Sequence, residues 1–119
     1  MGHVFLSYKK GDRPRAAQIV AGLEAEGFDV WWDQHLLPGD HWRETLTERL
    51  TNAACVIVLW SKLSVGAEGR FVHDEARRAQ RRGAYVPVRL EDVEPPLGFG
   101  EIQSIKLIGW RADADRQHP

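Results

Sequence analysis

The segment Phe71-Val72-His73-Asp74-Glu75 sets an acid where helical spacing calls for an apolar side chain. Val72, Ala76, Ala79 and Gly83 recur along one stripe of the helix this pattern predicts, while His73, Asp74, Arg77, Arg78, Arg81 and Arg82 fall on the other face. At 100° per residue, Glu75 lies about 60° from Val72, on the edge of the stripe. Phe71 comes one turn earlier and shares that flank. A glutamate so placed either makes a structural hydrogen bond or presents a negative charge to a cleft.

Other residues with chemical potential are less well arranged. Ser7 has no histidine in a recognisable triad context, so a nucleophilic serine is not expected. Gly11 alone does not make the glycine-rich turn of a dinucleotide fold. Trp60 and Ser61 stand where a phosphoacceptor domain needs an aspartate closing its third strand. The five histidines (His3, His35, His41, His73, His118) and the lone Cys55 lack zinc-ligand spacing, so no metal is expected. Arg77, Arg78, Arg81 and Arg82 read as the wet face of the helix rather than a nucleic-acid patch.

The elements that must hold Glu75 follow from the hydrophobic pattern. Five short apolar runs read as strands: Val4 to Tyr8, Phe28 to Trp32, Cys55 to Trp60, Ala84 to Leu90, and Ile105 to Trp110. Between the first two, Ala16, Ile19, Val20 and Leu23 repeat with helical spacing and Gly27 supplies the stop. Between the second and third, Trp42, Leu46, Leu50 and Ala53 do the same after Asp40, a candidate N-cap. Such alternation requires crossover connections, hence an α/β fold with a mostly parallel sheet and helices on both faces. The third run, apolar throughout, suits a strand buried on both sides. Pro87 moves the fourth strand toward an edge or a bulge. The segment Glu91 to Gly100, with Pro95, Pro96, Gly98 and Gly100, reads as an irregular connection.

In open sheets of this kind ligands gather beyond the carboxyl ends of the strands. There the chain supplies Tyr8, Lys9 and Lys10 after the first strand, Trp32 and Asp33 after the second, and Trp60 and Ser61 after the third, with Phe71 and Glu75 following. Trp31 and Trp32 point to opposite faces of one strand, so at most one faces a ligand. Lys9 and Lys10 serve either the cleft or a solvated turn, and Asp33 either caps its loop or contacts ligand.

At 119 residues the chain has the length of one domain. Its 43% hydrophobic and 28% charged content is ordinary for a globular protein, and a net charge of -1 gives no general attraction to nucleic acid or anionic membrane. No stretch approaches the ~18 apolar residues of a membrane span. Cys55, inside an apolar run, has no internal disulfide partner, which fits a reducing cytoplasm.

Together the residues resemble the TIR (Toll/interleukin receptor) domains, and among them the bacterial members that hydrolyse NAD+. Val4-Phe5-Leu6-Ser7-Tyr8 is similar to the family's opening strand, and Gly27 to Asp33 to its second. Leu37-Pro38-Gly39-Asp40 resembles the loop after that strand, and Val58-Leu59-Trp60-Ser61 the third strand. Phe71 to Glu75 is similar to the Trp-Val-x-x-Glu segment that carries the catalytic glutamate of active members, with Phe71 in the tryptophan's place. The similarity runs from about Val4 to Trp110, a core of residues 4–110 followed by a polar tail at 111–119.

The resemblance implies a flavodoxin-like three-layer fold whose five-stranded parallel sheet has the order 2-1-3-4-5, with the family's final helix missing. It implies an NAD+ glycohydrolase effector of bacterial immunity, with Glu75 catalytic. Tyr8, Lys9, Lys10, Trp32, Asp33, Trp60, Ser61 and Phe71 would line the substrate cleft. NAD+ would be substrate, with no cofactor. Leu37, Pro38, Gly39 and Asp40 would join neighbouring TIR domains, so that activity depends on self-association. The expected setting is a fragment of a longer sensor-effector protein, with a fused nucleotide-sensing domain downstream of Pro119. The rival expectation is a non-catalytic module that binds other TIR domains through the same loop.

Overall fold

The computed structural model describes residues 3–32, 42–66, 69–96, 98–99 and 105–106. Among them strand and helix alternate: β1 (Val4–Ser7), a single 3-10 turn (Lys10–Asp12), α1 (Arg13–Ala25), β2 (Val30–Trp31), α2 (Trp42–Asn52), β3 (Cys55–Trp60), α3 (Arg70–Arg82), β4 (Tyr85–Arg89) and β5 (Ile105–Lys106). Every pairing between strands is parallel.

The sheet has the order β2-β1-β3-β4-β5. In β5, Ile105 and Lys106 pair with Val88 and Arg89 of β4. The rest of the strand expected from Ile105 to Trp110 lies outside the described residues.

Alternation along β3 sends Val56, Val58 and Trp60 to one face of the sheet and Cys55, Ile57 and Leu59 to the other. Ala16, Ile19 and Val20 of α1 cover the second face. Leu50 of α2 and Val72, Ala76 and Ala79 of α3 cover the first. The result is three layers with β3 at the centre. Full burial of its valines, leucine and tryptophan contributes roughly 1.5–3 kcal/mol per large side chain.

The helix ends are fixed locally. Pro14 sits in the first turn of α1, where its missing N–H costs nothing. After α3 the chain turns on Gly83, whose φ of 71° is left-handed and open to glycine at no steric cost. Arg82 is exposed, as are Arg77, Arg78 and Arg81. It also donates to the carbonyls of Leu50 and Ala53, at 3.2 and 2.6 Å, and so ties the end of α2 to α3. The expected cap at Asp40 lies outside the described residues.

Candidate active site

Glu75 is buried, at 2% exposure, on the side of α3 that faces the end of β1. Ser7 closes β1, and strand alternation puts it on the same face as Phe5, under α3. The Ser7 hydroxyl donates to Glu75 Oε1 at 2.5 Å. Oε2 is buried without a hydrogen-bond partner among the described residues. Glu75 also lines a cavity of about 250 Å³ between α2 and α3. Leu46, Thr47 and Leu50 form its α2 wall, and Phe71, Asp74 and Arg78 complete the α3 wall.

This setting decides the charge of the acid. Burial pushes the Glu75 carboxyl up to about 7, and the neighbouring Asp74 adds to the effect. The Ser7 hydrogen bond and the Arg78 charge pull the other way without cancelling it. Glu75 thus changes charge near neutrality, and its unpaired oxygen can accept a hydrogen bond or face a developing cation.

Phe71 is 58% exposed and stands between two hollows. It lines the Glu75 cavity and a larger one of about 740 Å³ shared with Arg70, His73, Asp74 and Arg77. Phe71 and Glu75 therefore share a wall, as their spacing predicts.

The remaining expected site residues are dispersed. Trp60 is fully buried; its indole N–H donates to the Tyr85 hydroxyl at 2.8 Å, and its ring packs on Phe99 and His73, so it belongs to the core and not to the rim. Ser61 is engaged elsewhere. Its hydroxyl donates to Asp12 Oδ2 and accepts from the amides of Leu63 and Ser64. Tyr8 and Trp32 pack together across the sheet from Glu75, with ring centroids 6.1 Å apart. The Arg13 guanidinium lies 4.8 Å from the Trp32 ring centroid and donates to the Tyr8 hydroxyl. The tryptophan on Glu75's face is Trp31, stacked on Phe5 at 5.1 Å. The Lys9 carbonyl accepts from the Asp12 amide, and Lys10 is exposed in the 3-10 turn. Asp33, Leu37, Pro38, Gly39 and Asp40 lie outside the described residues.

Ser7 as the partner of Glu75 was not foreseen, nor were Leu46, Thr47 and Leu50 as the opposite wall. A signal for Ser7 existed. Counting by two from Phe5 puts its hydroxyl on a buried face, where it needs a partner. Asp12 was missed as well. It is 1% exposed, pairs with Arg15 at 2.5 Å, and with Ser61 joins the turn after β1 to the turn after β3. Among the described residues, no group of three or more His, Cys, Asp or Glu is placed to hold a metal ion, and no helix is long and apolar enough to cross a membrane.

A family model described as the TIR domain matches residues 4–118. No curated relative matches the chain in sequence. Among solved structures, the TIR domain of the Toll-related receptor TRR-2 from Hydra magnipapillata is similar at 17% identity, with a TM-score of 0.74, over 98% of this chain and 90% of that one. A metazoan TIR-STING receptor from C. gigas, in complex with 2′,3′-cGAMP, is similar at 23% identity with a TM-score of 0.78. That match covers 98% of this chain but only 38% of the receptor's. A further structure of a TIR-STING receptor from C. gigas matches over 88% of this chain and 37% of that one, at 23% identity and a TM-score of 0.69. At these identities the likeness is one of fold.

Proposed function

The chain belongs to the TIR domain family, and from that premise we propose that it hydrolyses NAD+ at the bond between nicotinamide and ribose. One observation carries this reading: Glu75 is a buried carboxyl with an unpartnered oxygen, in a cavity shared with an exposed aromatic ring.

The chemistry suits a single carboxylate. Hydrolysis of ordinary glycosides employs two, because an alcohol leaves poorly unless protonated. The nicotinamide of NAD+ is a cationic pyridinium. When the C–N bond breaks, the electron pair leaves with a neutral ring, and no general acid is needed. Positive charge develops on the ribose, and ionised Glu75, itself buried, stabilises it from a fixed position. Water then adds to the ribosyl carbon and loses a proton, giving ADP-ribose; capture by a group of the same molecule gives a cyclic product. Phe71 supplies a ring face beside the reacting end. Arg70 and Arg77, in the adjoining larger cavity, suit the pyrophosphate.

The same proposal makes activity depend on assembly. The segment with Leu37, Pro38, Gly39 and Asp40 joins neighbouring TIR domains and completes the cleft, and a fused nucleotide-sensing domain drives the clustering in a bacterial defence response. The test is nicotinamide release from NAD+ by artificially clustered protein, beside Glu75→Gln. Release by the wild type and none by the variant supports the reading.

A second reading is favoured by the 58% exposure of Phe71. In it the same surface docks other TIR domains without catalysis. Equal inertness of clustered wild type and Glu75→Gln, with self-association intact, would establish it.

A further inference from the structure

We propose that Ser7 is a positioning residue for Glu75: by claiming Oε1 it leaves Oε2 alone to serve the cavity. The inference rests on the proposed role of Glu75 in NAD+ cleavage.

The geometry allows one arrangement of partners. The Ser7 hydroxyl is fully buried and meets Glu75 Oε1 at 2.5 Å across 68 positions of sequence. A hydroxyl has one proton to give, and here it goes to the carboxylate. Oε2 finds no partner among the described residues, so the two oxygens are distinguished by the strand beneath them. A bond from a strand end to a helix also fixes the rotamer of a flexible side chain, which places the free oxygen repeatably.

The charge effect follows from the surroundings. The charged groups acting on Glu75 are Asp74 and Arg78 of its own helix, which oppose each other. From α2 the cavity receives Leu46, Thr47 and Leu50, none of them titratable. β1 contributes Ser7, and β3 beneath α3 presents Val56, Val58 and Trp60. Among the described residues, Ser7 is thus the hydrogen-bond donor that stabilises the ionised form against burial.

The experiment is a carbon-13 NMR titration of the labelled Glu75 carboxyl in wild type, Ser7→Ala and the nearly isosteric weak donor Ser7→Cys, with folding checked by thermal melting. Ser7→Ala is expected to move the midpoint upward by about one pH unit or more, and Ser7→Cys by less. In clustered protein, kcat/KM for NAD+ at pH 7 should fall roughly fivefold from protonation alone. That part should recover near pH 9, while the part due to lost orientation persists as a lowered kcat with little change in KM. An unmoved midpoint in either folded variant overturns the inference and leaves the NAD+ reading standing. A midpoint moved in the variants, beside a wild type that never cleaves NAD+, upholds Ser7's hold on Glu75 and overturns that reading instead.

Discussion

Gly69 sits so close to Ser64 that a Cβ on it would lie 2.0 Å from the Ser64 carbonyl oxygen. That carbonyl also meets His73 Nε2 at 2.8 Å, so the first turn of α3 rests on the turn Ser61 begins after β3. Because a backbone atom is in the way, Gly69→Ala must push the start of α3 outward, at a cost of about 1–3 kcal/mol. Phe71 and Glu75 would move with it. A lowered urea midpoint is expected, together with a fall of roughly tenfold or more in nicotinamide release by clustered protein.

Glu75 makes the fold sensitive to pH in a direction unusual for a carboxylate. Its group ionises near 4.5 when exposed and near 7 in the folded chain. Between those values the native state holds more protons than the unfolded one, so its contribution is fully present below about 4.5 and is lost as pH rises through 7. The span corresponds to about 3 kcal/mol. Glu75→Gln keeps the acceptor for Ser7 and removes the charge. It should melt with the wild type at pH 4 and be more stable by about that amount at pH 8, by denaturant titration.

The same ionisation should govern turnover. If the carboxylate is the active form, kcat/KM for NAD+ falls on the acid side of a midpoint near 7, by tenfold for each unit below it. A pH profile of clustered wild type checks this. A flat profile from pH 5 to 8 would remove the carboxylate from the reaction.

How much of this was legible in the sequence depended on range. Glu75 and Phe71 were placed correctly because both sit on one helix, and helical periodicity alone assigns their flank. The Ser7 bond joins residues far apart in sequence, and no local pattern pairs a strand end with a particular turn of a distant helix. Trp60 and Ser61 were expected at the rim because they end the apolar run, yet the core draws Trp60 in through Tyr85 and Phe99. Of two adjacent tryptophans, alternation says only that they face opposite ways; which one shares Glu75's face needed the register of Phe5 with Trp31.

Asp12 should prove a structural cornerstone. It is buried, it accepts from Ser61, and it pairs with a half-exposed Arg15. In Asp12→Ala the Ser61 hydroxyl loses its acceptor while solvent partly compensates Arg15, so the expected loss is about 2 kcal/mol. Asp12→Asn keeps an acceptor for Ser61 and should lose roughly half as much. Urea unfolding of the two variants separates the hydrogen bond from the charge.

Phe71 offers a test in the direction of gain. It is more than half exposed, so a larger ring there meets no packed core and should change stability by no more than about 0.5 kcal/mol. Where the ring lies against a substrate's flat nicotinamide or ribose face, Phe71→Trp adds stacking area, worth about 0.5–1.5 kcal/mol. Nicotinamide release by clustered Phe71→Trp should therefore rise roughly two- to tenfold in kcat/KM. If the ring instead docks another TIR domain, the substitution changes the concentration at which the protein self-associates and leaves NAD+ untouched. Sedimentation of the free protein and nicotinamide release by the artificially clustered protein tell these apart, because forced clustering takes self-association out of the second measurement.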